Sequence, residues 1–354
     1  MGFVSHRGSP GSASESVRLA EHTTFHVGGP ARHFITATTQ HELIESVRGC
    51  DESGEPLLVL GGGSNVLVPE EGFDGTVVHV GTRGMTAEVS ACGGAMVRVQ
   101  AGESWDELVG FAVSREWAGV ESLSGIPGSV GATPIQNVGA YGADVSQTIS
   151  SVRTWDRQLA QLATFAAVDC GFGYRSSLFK REPGRWVVLD VSFQFSLGEL
   201  SAPVAYPELA RALSVDVGER AGSARVREAV LAIRRSKGMV LDESDHDTWS
   251  GGSFFTNPLL TKEAADRLPP EAPRFPAGDH VKTSAAWLIQ HAGFAKGHGN
   301  ARAALSGKHV LALTNRGGAT ADDLLALARE VRDGVRARFD ISLEPEVNII
   351  GGSL

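Results

Sequence analysis

The apolar positions of the chain follow two different patterns, and the change between them occurs near residue 200. Before this point, short apolar runs bounded by glycine or polar residues are typical of buried strands. After it, apolar residues recur every three or four positions, which is typical of helices. We therefore expect a strand-rich first region, a boundary near residue 200, and a mixed second region.

In the first region, two capping boxes and several apolar runs mark the expected elements. The boxes at 39–42 and 104–107 place a glutamate three residues after a hydroxyl, so we expect a helix to begin in each. Residues 187–196 alternate apolar and polar side chains, which predicts a half-buried strand. Further strands are predicted at 57–60, 66–68, 76–80 and 97–101.

The second region begins with helix-type patterns and ends with a strand-type segment. Pro345 excludes a helix there, so we expect an extended strand with Glu344 and Glu346 on one face. A capping box at 320–323 predicts the start of a long helix. The remaining expected elements are helices at 207–213, 223–235 and 284–291 and a buried strand at 309–314.

Glycine accounts for 43 of the 354 residues, and one uncharged stretch, which we call the wrapping segment (124–142), contains five glycines and two prolines. Its pattern fits neither an amphipathic helix nor an alternating strand, yet it is too apolar for a free linker. We interpret it as backbone that wraps a phosphorylated ligand and binds it through N–H groups. A set of glycine-rich turns inside a sheet is the alternative.

Net charge and cysteine content exclude several classes of function. A formal charge of -9 argues against a nucleic-acid surface, which needs clustered positive charge. Cys50, Cys92 and Cys170 are far apart and form no Cys-Xaa-Xaa-Cys pair, so we expect no disulfide framework and no metal. Residues 1–16 lack the apolar core of a signal peptide and are expected to be a disordered tail. We expect a cytoplasmic protein without membrane spans.

Four short segments place ionisable or nucleophilic groups in apolar or glycine-rich surroundings. Arg175 is flanked by Phe172, Tyr174 and Leu178, and it is either a structural ion-pair partner or a clamp for a carboxylate. Ser253 follows two glycines and precedes two phenylalanines that are expected to dry the pocket around it. This serine does not match the hydrolase elbow Gly-Xaa-Ser-Xaa-Gly, and a serine that caps a turn is the alternative.

The other two segments carry a carboxylate and a basic cluster. Glu346, if aimed inward, would have a raised pKa and serve as a proton donor or hydrogen-bond partner. A solvated strand edge is the alternative. The cluster at 234–237 ends a predicted helix, where basic residues either satisfy the helix dipole or bind a diphosphate.

Taken together, these segments resemble the UDP-N-acetylenolpyruvoylglucosamine reductase (MurB) family over nearly the whole chain. A single motif would be weak evidence, but the motifs occur together in family order. They are TFHVG (24–28), LGGGSNVL (60–67), GIPGSVG (125–131), QNVGAYG (136–142), YRSS (174–177), GSFFTNP (252–258), WLI (287–289) and EPEV (344–347).

The resemblance implies an α+β fold. A two-subdomain FAD-binding fold of the vanillyl-alcohol-oxidase (PCMH) type would be followed by a C-terminal α+β substrate-binding domain. The implied boundaries are 17–198 for the FAD-binding domain, with subdomains 17–83 and 84–198, then 199–338 for the substrate-binding domain and 339–354 for a strand that returns to the FAD-binding domain.

The resemblance also implies an activity. NADPH reduces a non-covalently bound FAD, and a hydride from flavin N5 reaches the vinyl carbon of UDP-N-acetylglucosamine enolpyruvate, giving UDP-N-acetylmuramate for peptidoglycan synthesis. The proton-donating serine falls on Ser253, the carboxylate-polarising arginine on Arg175 and the active-site glutamate on Glu346. The expected cofactor-binding residues are Gly61, Gly62, Gly63, Ser64, Asn65, Ser124, Ile126, Gly128, Gly131, Ala132, Gln136, Asn137, Gly139 and Tyr141.

For the nucleotide part of the substrate, the resemblance implies a lid tyrosine at Tyr206, diphosphate contacts from Lys237 and Asn257, and a substrate contact at His309. The chain departs from the family pattern at two positions: Ser176 replaces a common aspartate beside Arg175, and His309 stands where the family often has a glutamine. An insert at 238–247 has no assigned role. The partners expected are NADPH and a nucleotide sugar, and the chain is expected to be a monomer.

Two rival interpretations remain. One is a flavin-dependent oxidase of a small alcohol or sugar on the same fold. The other is a flavin- or nucleotide-sugar-binding sensor without activity, since a fold alone does not establish a reaction.

Overall fold

The computed structural model describes residues 17–354 of the chain. The predicted tail at 1–16 lies outside the described residues. In the described part, no helix is both long and apolar enough to cross a membrane.

Nine α-helices are present in residues 17–354. They are α1 Gln40–Ser53, α2 Trp105–Ser114, α3 Thr133–Gln136, α4 Leu178–Arg181, α5 Pro207–Leu213, α6 Ser223–Ser236, α7 Lys262–Asp266, α8 Ala285–His291 and α9 Ala321–Phe339. Complete capping boxes begin α1 at Thr39 and α9 at Thr320. At α2, Ser104 accepts from the Glu107 N–H, which is one half of the expected box.

Eighteen strands form the sheets of the described chain. They are β1 Ala31–Ala37, β2 Leu57–Leu60, β3 Val66–Leu67, β4 Phe73–Val80, β5 Met85–Ser90, β6 Gly94–Gln100, β7 Trp117–Ala118, β8 Gly139–Ala140, β9 Ala143–Asp144, β10 Ile149–Asp156, β11 Gln161–Ala166, β12 Trp186–Leu197, β13 Leu259–Leu260, β14 Phe275–Ala277, β15 His280–Lys282, β16 Ala303–Leu305, β17 Leu313–Asn315 and β18 Asn348–Ile349.

Two sheets of different type make up the first region. β1, β4 and β2 form a parallel sheet in the order β1-β4-β2, against which α1 buries Leu43, Val47 and Cys50. The larger sheet is antiparallel, in the order β11-β10-β12-β6-β5, with β7 paired to the end of β12. The core between this sheet, α1 and α2 includes Trp105, whose ring centroid lies 5.9 Å from that of Phe193.

The second region has smaller sheets and packs around α9. Its core brings together residues from α8, β16, β17 and α9 with Phe25, Val27 and Leu67 of the first region. α5 and α6 form a separate small cluster, here called the helical lobe (200–236). At the end of the chain, β18 pairs in parallel with β3, which joins the C-terminal segment to the first region.

Two expectations about strands are wrong. The run at 187–196 forms β12, but residues 187–191 are buried on both faces, because Asp190 on the expected polar face is covered by Arg98, Arg153 and Gln40. The strand predicted at 309–314 is confined to β17, because a turn in which the Ala312 N–H donates to the His309 carbonyl precedes it.

Candidate active site

One cavity lies where the glycine loop (61–65), the wrapping segment, the turn carrying Arg175 and the C-terminal segment meet. These pieces are distant in sequence and come together because β18 pairs with β3 directly after the glycine loop. Among the predicted site residues, those that line the cavity are Ser64, Asn65, Ile126, Gln136, Gly139, Arg175, Ser253 and Glu346.

Arg175 is held in a left-handed backbone conformation with a φ of 51°. Such a φ is uncommon for a residue with a side chain and is often found at functional sites. The Lys180 ammonium donates to the Arg175 carbonyl over 3.1 Å, and Nη2 of Arg175 donates to the Gly139 carbonyl over 2.8 Å. These contacts orient the guanidinium although Ser176 replaces the aspartate that is common in the resembled family.

Glu346 lies at the centre of a polar cluster. Its Oε1 is 2.8 Å from Nε of Arg175, which makes an ion pair, although the N–H is not directed along a hydrogen bond. Gln136 donates to the same oxygen over 2.7 Å. Burial raises the pKa of Glu346 above its ordinary value, and the charges of Arg175 and Lys180 offset part of this rise. The interpretation of this carboxylate as a solvated strand edge therefore does not fit.

Asn65 connects this cluster to the glycine loop. Its Nδ2 donates to Oε1 of Gln136 over 3.0 Å and to the Glu346 carbonyl over 3.1 Å. One amide side chain thus fixes the loop, the wrapping segment and the C-terminal segment relative to one another. Any ligand held by the loop is thereby positioned against Glu346 and Arg175.

Ser253 lines the same cavity, and its hydroxyl has no hydrogen-bond partner within residues 17–354. The adjacent backbone is fixed by Phe254, whose N–H donates to Leu311 and whose carbonyl accepts from the Glu346 N–H over 2.7 Å. Phe254 and Phe255 are fully buried in the core and do not line the cavity. Their burial fixes the backbone next to Ser253. Because neither ring lines the cavity, their position does not support the expectation that they exclude water from around the serine.

The glycine loop offers backbone donors to a ligand. In the described chain, no protein acceptor is bonded to the amide N–H groups of Gly62, Gly63 and Ser64. A β-carbon on Gly62 would lie 2.7 Å from Cα of Gly128, so glycine is required where the loop meets the wrapping segment. Successive free N–H groups in a tight glycine turn form a nest for an anion. The residues present thus fit a cofactor that carries a diphosphate.

Some N–H groups of the wrapping segment are bonded to other parts of the protein and are not free for a ligand. Gly125 donates to Oδ1 of Asp106 over 2.6 Å, and Gly131 donates to the Ala101 carbonyl over 2.8 Å. The expectation that each glycine offers its amide to a ligand is therefore wrong for these two. Gly131 is needed for packing instead, since its β-carbon would lie 2.5 Å from that of Ala101.

Three further residues predicted to bind the cofactor have other contacts. Ser124 is buried and donates to the Glu121 carbonyl. Asn137 is also buried, and its side chain donates to the Gly173 carbonyl and accepts from the Ser146 N–H, which braces the turn before Arg175. Ala132 is exposed beside α3. None of the three lines the cavity.

Four predicted site residues, Tyr141, Tyr206, Lys237 and His309, group at the edge of the helical lobe, and none of them lines the cavity. The Tyr206 and Tyr141 rings meet edge to face with centroids 5.6 Å apart, and Lys237 lies 5.8 Å from the Tyr141 ring while it pairs with Glu208 over 2.6 Å. Burial, together with the charges of Lys237 and Lys296, lowers the pKa of His309 to about 4. The imidazole is therefore neutral at pH 7.

Asn257 is placed elsewhere. It lines a second cavity with Tyr174, Lys180 and Arg175, and its Oδ1 accepts from the Ala285 N–H over 2.9 Å. Lys237 lines neither cavity. Lys237 and Asn257, which were expected to hold one diphosphate, thus lie in different surroundings. Arg175 lines both cavities.

Comparison with known proteins gives consistent results. Residues 31–158 match the family model described as "FAD binding domain", and residues 243–350 match the one described as "UDP-N-acetylenolpyruvoylglucosamine reductase, C-terminal domain". The UDP-N-acetylenolpyruvoylglucosamine reductase of Cutibacterium acnes is 60% identical over 344 residues, covering 96% of this chain and 91% of that protein. The chain belongs to the UDP-N-acetylenolpyruvoylglucosamine reductase family.

Other members of this family also match the chain over nearly its whole length. The reductase of Streptomyces coelicolor is 52% identical, covering 95% of this chain and 90% of that protein. The crystal structure of the family member from Thermus caldophilus matches with a TM-score of 0.65 at 25% identity, covering 95% of this chain and 98% of that chain. The predicted family and the FAD-binding α+β fold are confirmed, and the oxidase interpretation is not favoured.

The insert at 238–247 has a structural role in this family member. Asp245 pairs with Lys308, and Asp247 pairs with Arg316 over 2.6 Å and accepts from the Gly307 N–H. These contacts fix the insert to the loop that carries His309. Its Met239 and Leu241 then form one wall of the cavity.

Motif analysis missed two residues whose contacts reach the site, Lys180 and Asp106. Lys180 lies just beyond the YRSS motif, and Asp106 sits in the first turn of α2, where acidic residues commonly interact with the helix dipole. Arg234 was noted only within a basic cluster. Their positions depend on tertiary contacts, and only the basic cluster gave a signal in the sequence.

The cysteines and histidines of the described chain lie away from the first cavity. Cys50 and Cys170 are buried and Cys92 is exposed, and no cysteine or histidine of the described chain lines the first cavity. Residues 17–354 contain no cluster of three potential metal ligands.

Proposed function

We propose that this protein is an NADPH-dependent flavoenzyme that reduces the enolpyruvyl group of UDP-N-acetylglucosamine enolpyruvate to give UDP-N-acetylmuramate for peptidoglycan synthesis. The observation that carries the proposal is that Ser253, Arg175 and Glu346, from three distant segments, line one cavity beside a glycine loop with free N–H groups. Family membership supports the same reaction.

FAD, when bound, would supply the hydride for this chemistry. Gly62, Gly63 and Ser64 would offer their free N–H groups to its diphosphate, and Asn65 fixes the loop against Glu346. The net reaction adds a hydride to the terminal vinyl carbon and a proton to the carbon that bears the carboxylate, while NADPH becomes NADP⁺.

Arg175 stabilises the negative charge that develops on the substrate. Hydride addition to the vinyl group places electron density on the carbon next to the carboxylate, and a guanidinium at that carboxylate stabilises the enolate-like form. Lys180 and Gly139 hold the arginine in place, so this stabilisation needs no rearrangement during the reaction.

Ser253 donates the proton, because its hydroxyl faces the cavity without an acceptor that would hold its hydrogen elsewhere. Water replaces the proton that the serine transfers. Glu346 keeps Arg175 paired before the substrate carboxylate arrives, and its raised pKa indicates that this carboxylate is poorly solvated.

Ser253→Ala tests the proposal in single-turnover experiments. Flavin reduction by NADPH should proceed at the rate of the unaltered protein, whereas flavin reoxidation by the enolpyruvyl substrate should slow by about 10²- to 10⁴-fold, which is the usual contribution of a positioned proton donor. Ser236→Ala is the matched control, because that exposed serine bonds only the Ile233 carbonyl. Unchanged reoxidation in Ser253→Ala would remove Ser253 from this role.

We extend the proposal to the reaction partners and the setting. NADPH is the reductant, the chain acts as a monomer, and the reaction takes place in the cytoplasm. Tyr206 closes over the nucleotide, and Lys237, Asn257 and His309 contact the substrate.

A further inference from the structure

We propose that Arg234 supplies the positive charge for the diphosphate of a nucleotide bound in the cavity, because its buried guanidinium faces the cavity without a carboxylate partner. This inference rests on the proposed function for the identity of the nucleotide, either FAD or the sugar nucleotide. For one residue of the basic cluster at 234–237, it decides between the two roles that the sequence left open.

Arg234 lies in the last turn of α6, exposes 8% of its surface and lines the cavity. Its Nη2 donates to the Met239 carbonyl over 2.7 Å, whereas Nε has no partner. No carboxylate in residues 17–354 lies within 4 Å of this guanidinium. The carboxylate of Asp106, whose field reaches Arg234, is already bonded to Arg227 and to the Gly125 N–H.

Several part-buried arginines of the protein follow the usual rule that a buried charge is paired, with a carboxylate within 3.1 Å. The pairs are Arg153 with Asp190, Arg185 with Asp156, Arg227 with Asp106, and Arg175 with Glu346. Arg274, which has no carboxylate partner, is held instead by several backbone carbonyls. Arg234 is more deeply buried than these and departs from the rule.

Without a carboxylate partner, the charge of Arg234 is only partly stabilised in the ligand-free protein. Burial lowers the pKa of Arg234 below its ordinary value, and the charge of Asp106 and the hydroxyl of Tyr141 offset only part of this effect. An arginine remains protonated even so. The ligand-free protein therefore carries an incompletely compensated charge, and an anion in the cavity would relieve this cost.

The position of Arg234 indicates what kind of anion it binds. A β-carbon built on Gly125 would lie 3.5 Å from Nε, so Nε lies beside the start of the wrapping segment. A guanidinium presents several N–H groups in a planar fork that suits phosphate oxygens. The glycine loop supplies neutral donors but no cation, and Arg175, which also lines the cavity, is paired with Glu346. Arg234 therefore supplies the uncompensated positive charge that a diphosphate requires.

A helix-dipole role does not account for the burial. Basic residues in a last turn can interact with the helix dipole from the surface. Arg235, the next residue, is exposed and meets that need without desolvation. Arg235 therefore serves as the matched control.

The test compares Arg234→Met with Arg235→Met in protein stripped of flavin. FAD and riboflavin are titrated separately by fluorescence, and thermal unfolding is recorded without ligand. For Arg234→Met, we expect the FAD dissociation constant to rise at least about tenfold. Riboflavin affinity should be unchanged because riboflavin has no phosphate, and the ligand-free unfolding temperature should stay the same or rise. Arg235→Met should match the unaltered protein throughout.

A second titration identifies which nucleotide supplies the diphosphate. If FAD affinity is unchanged but the affinity of the flavin-loaded protein for UDP falls at least about tenfold, Arg234 binds the diphosphate of the sugar nucleotide. Equal loss for FAD and riboflavin, or no change for either FAD or UDP, would overturn the proposal. Should Arg234→Met fail to fold, Arg234→Lys keeps the charge but not the planar fork of N–H groups, and it should bind FAD more weakly than the unaltered protein while riboflavin affinity is unchanged. These binding measurements are independent of turnover and so can fail separately from Ser253→Ala.

Discussion

At the scale of single residues, His309 shows how burial selects a protonation state. Its pKa is lowered to about 4 by burial and by the nearby Lys237 and Lys296. In the unfolded chain a histidine takes up its proton near pH 6.5. The unfolded state therefore binds more protons between these values, and the free energy of unfolding falls as the pH drops from 6.5 toward 4.

His309→Gln should remove this pH dependence. Between pH 7.5 and pH 5, the group is expected to cost the unaltered protein about 2 kcal/mol of stability, and the variant should not lose this amount. Urea unfolding at both pH values measures the difference. His280→Gln, at an exposed position on β15, is the control. Parallel losses in His309→Gln and the unaltered protein would contradict the expectation.

Motifs predicted which residues belong to the candidate site better than they predicted which residues contact one another. Motif comparison indicated Arg175, Ser253 and Glu346, and the structure brings all three to one cavity. It did not indicate that Lys180 fixes the Arg175 carbonyl or that Arg234 lacks a carboxylate partner. Such contacts depend on side chains from separate segments, which local patterns do not report.

At the scale of elements, the glycine loop and the wrapping segment depend on each other. Gly62 contacts the backbone of Gly128 so closely that a β-carbon would lie 2.7 Å from Cα. A methyl group at this point must push two backbones apart, because no flexible side chain can move aside.

Gly62→Ala should therefore separate the two loops and weaken cofactor binding. We expect FAD affinity to fall at least about tenfold and stability to fall by about 1–3 kcal/mol, as is usual for overpacking. Flavin content after purification and thermal unfolding provide the measurements. Gly49→Ala, within α1 and with nothing within 4 Å of its β-carbon, should instead gain about 0.5–1 kcal/mol. Equal flavin content in both variants would argue against the close contact.

Elements with local signals were predicted well. The boxes at Thr39 and Thr320 begin α1 and α9 because their hydrogen bonds form between residues three apart. The strand expected at 309–314 forms only from Leu313, because Ser306 accepts from the N–H groups of Lys308 and His309 and starts a turn. Periodicity also predicted a half-exposed β12, since it did not indicate that Arg98 and Arg153 cover Asp190.

At the scale of the whole molecule, the C-terminal segment holds the two regions together. Asn348 donates to the Asn65 carbonyl from its backbone and its side chain, and Val347 is buried in the core of the second region. Glu346 then enters the site from this same segment. Catalytic geometry and regional packing thus depend on a few consecutive residues.

Removal of residues 344–354 should affect stability and cofactor content together. We expect the unfolding temperature to fall by at least about 5 °C, because the β18–β3 pairing and a buried valine are lost. Removal of 352–354 alone should have a smaller effect, since it breaks an exposed bond from Arg329 to Ser353 and removes Leu354, which is only partly buried against the core of the second region. Calorimetry and flavin absorbance of both truncated proteins check this. Similar unfolding temperatures would show that the segment is dispensable for packing.

The large-scale arrangement could be inferred only in outline. A change of pattern near residue 200 indicated where strands give way to helices. Sequence patterns did not indicate that Phe25 and Val27 pack in the core around α9, because an apolar residue does not specify which distant surface it contacts.

The carboxylate of Asp106 connects the wrapping segment to the helical lobe. It binds the backbone of Gly125 and, through Arg227, holds α6 of the helical lobe against α2. A nucleotide resting on the first residues of the wrapping segment and the docking of the lobe therefore share one anchor. If nucleotide binding strengthens the docking of the lobe through this anchor, thermodynamic reciprocity requires that docking of the lobe strengthen nucleotide binding by the same factor. Amide hydrogen exchange in α6 should accordingly slow when the cavity is filled.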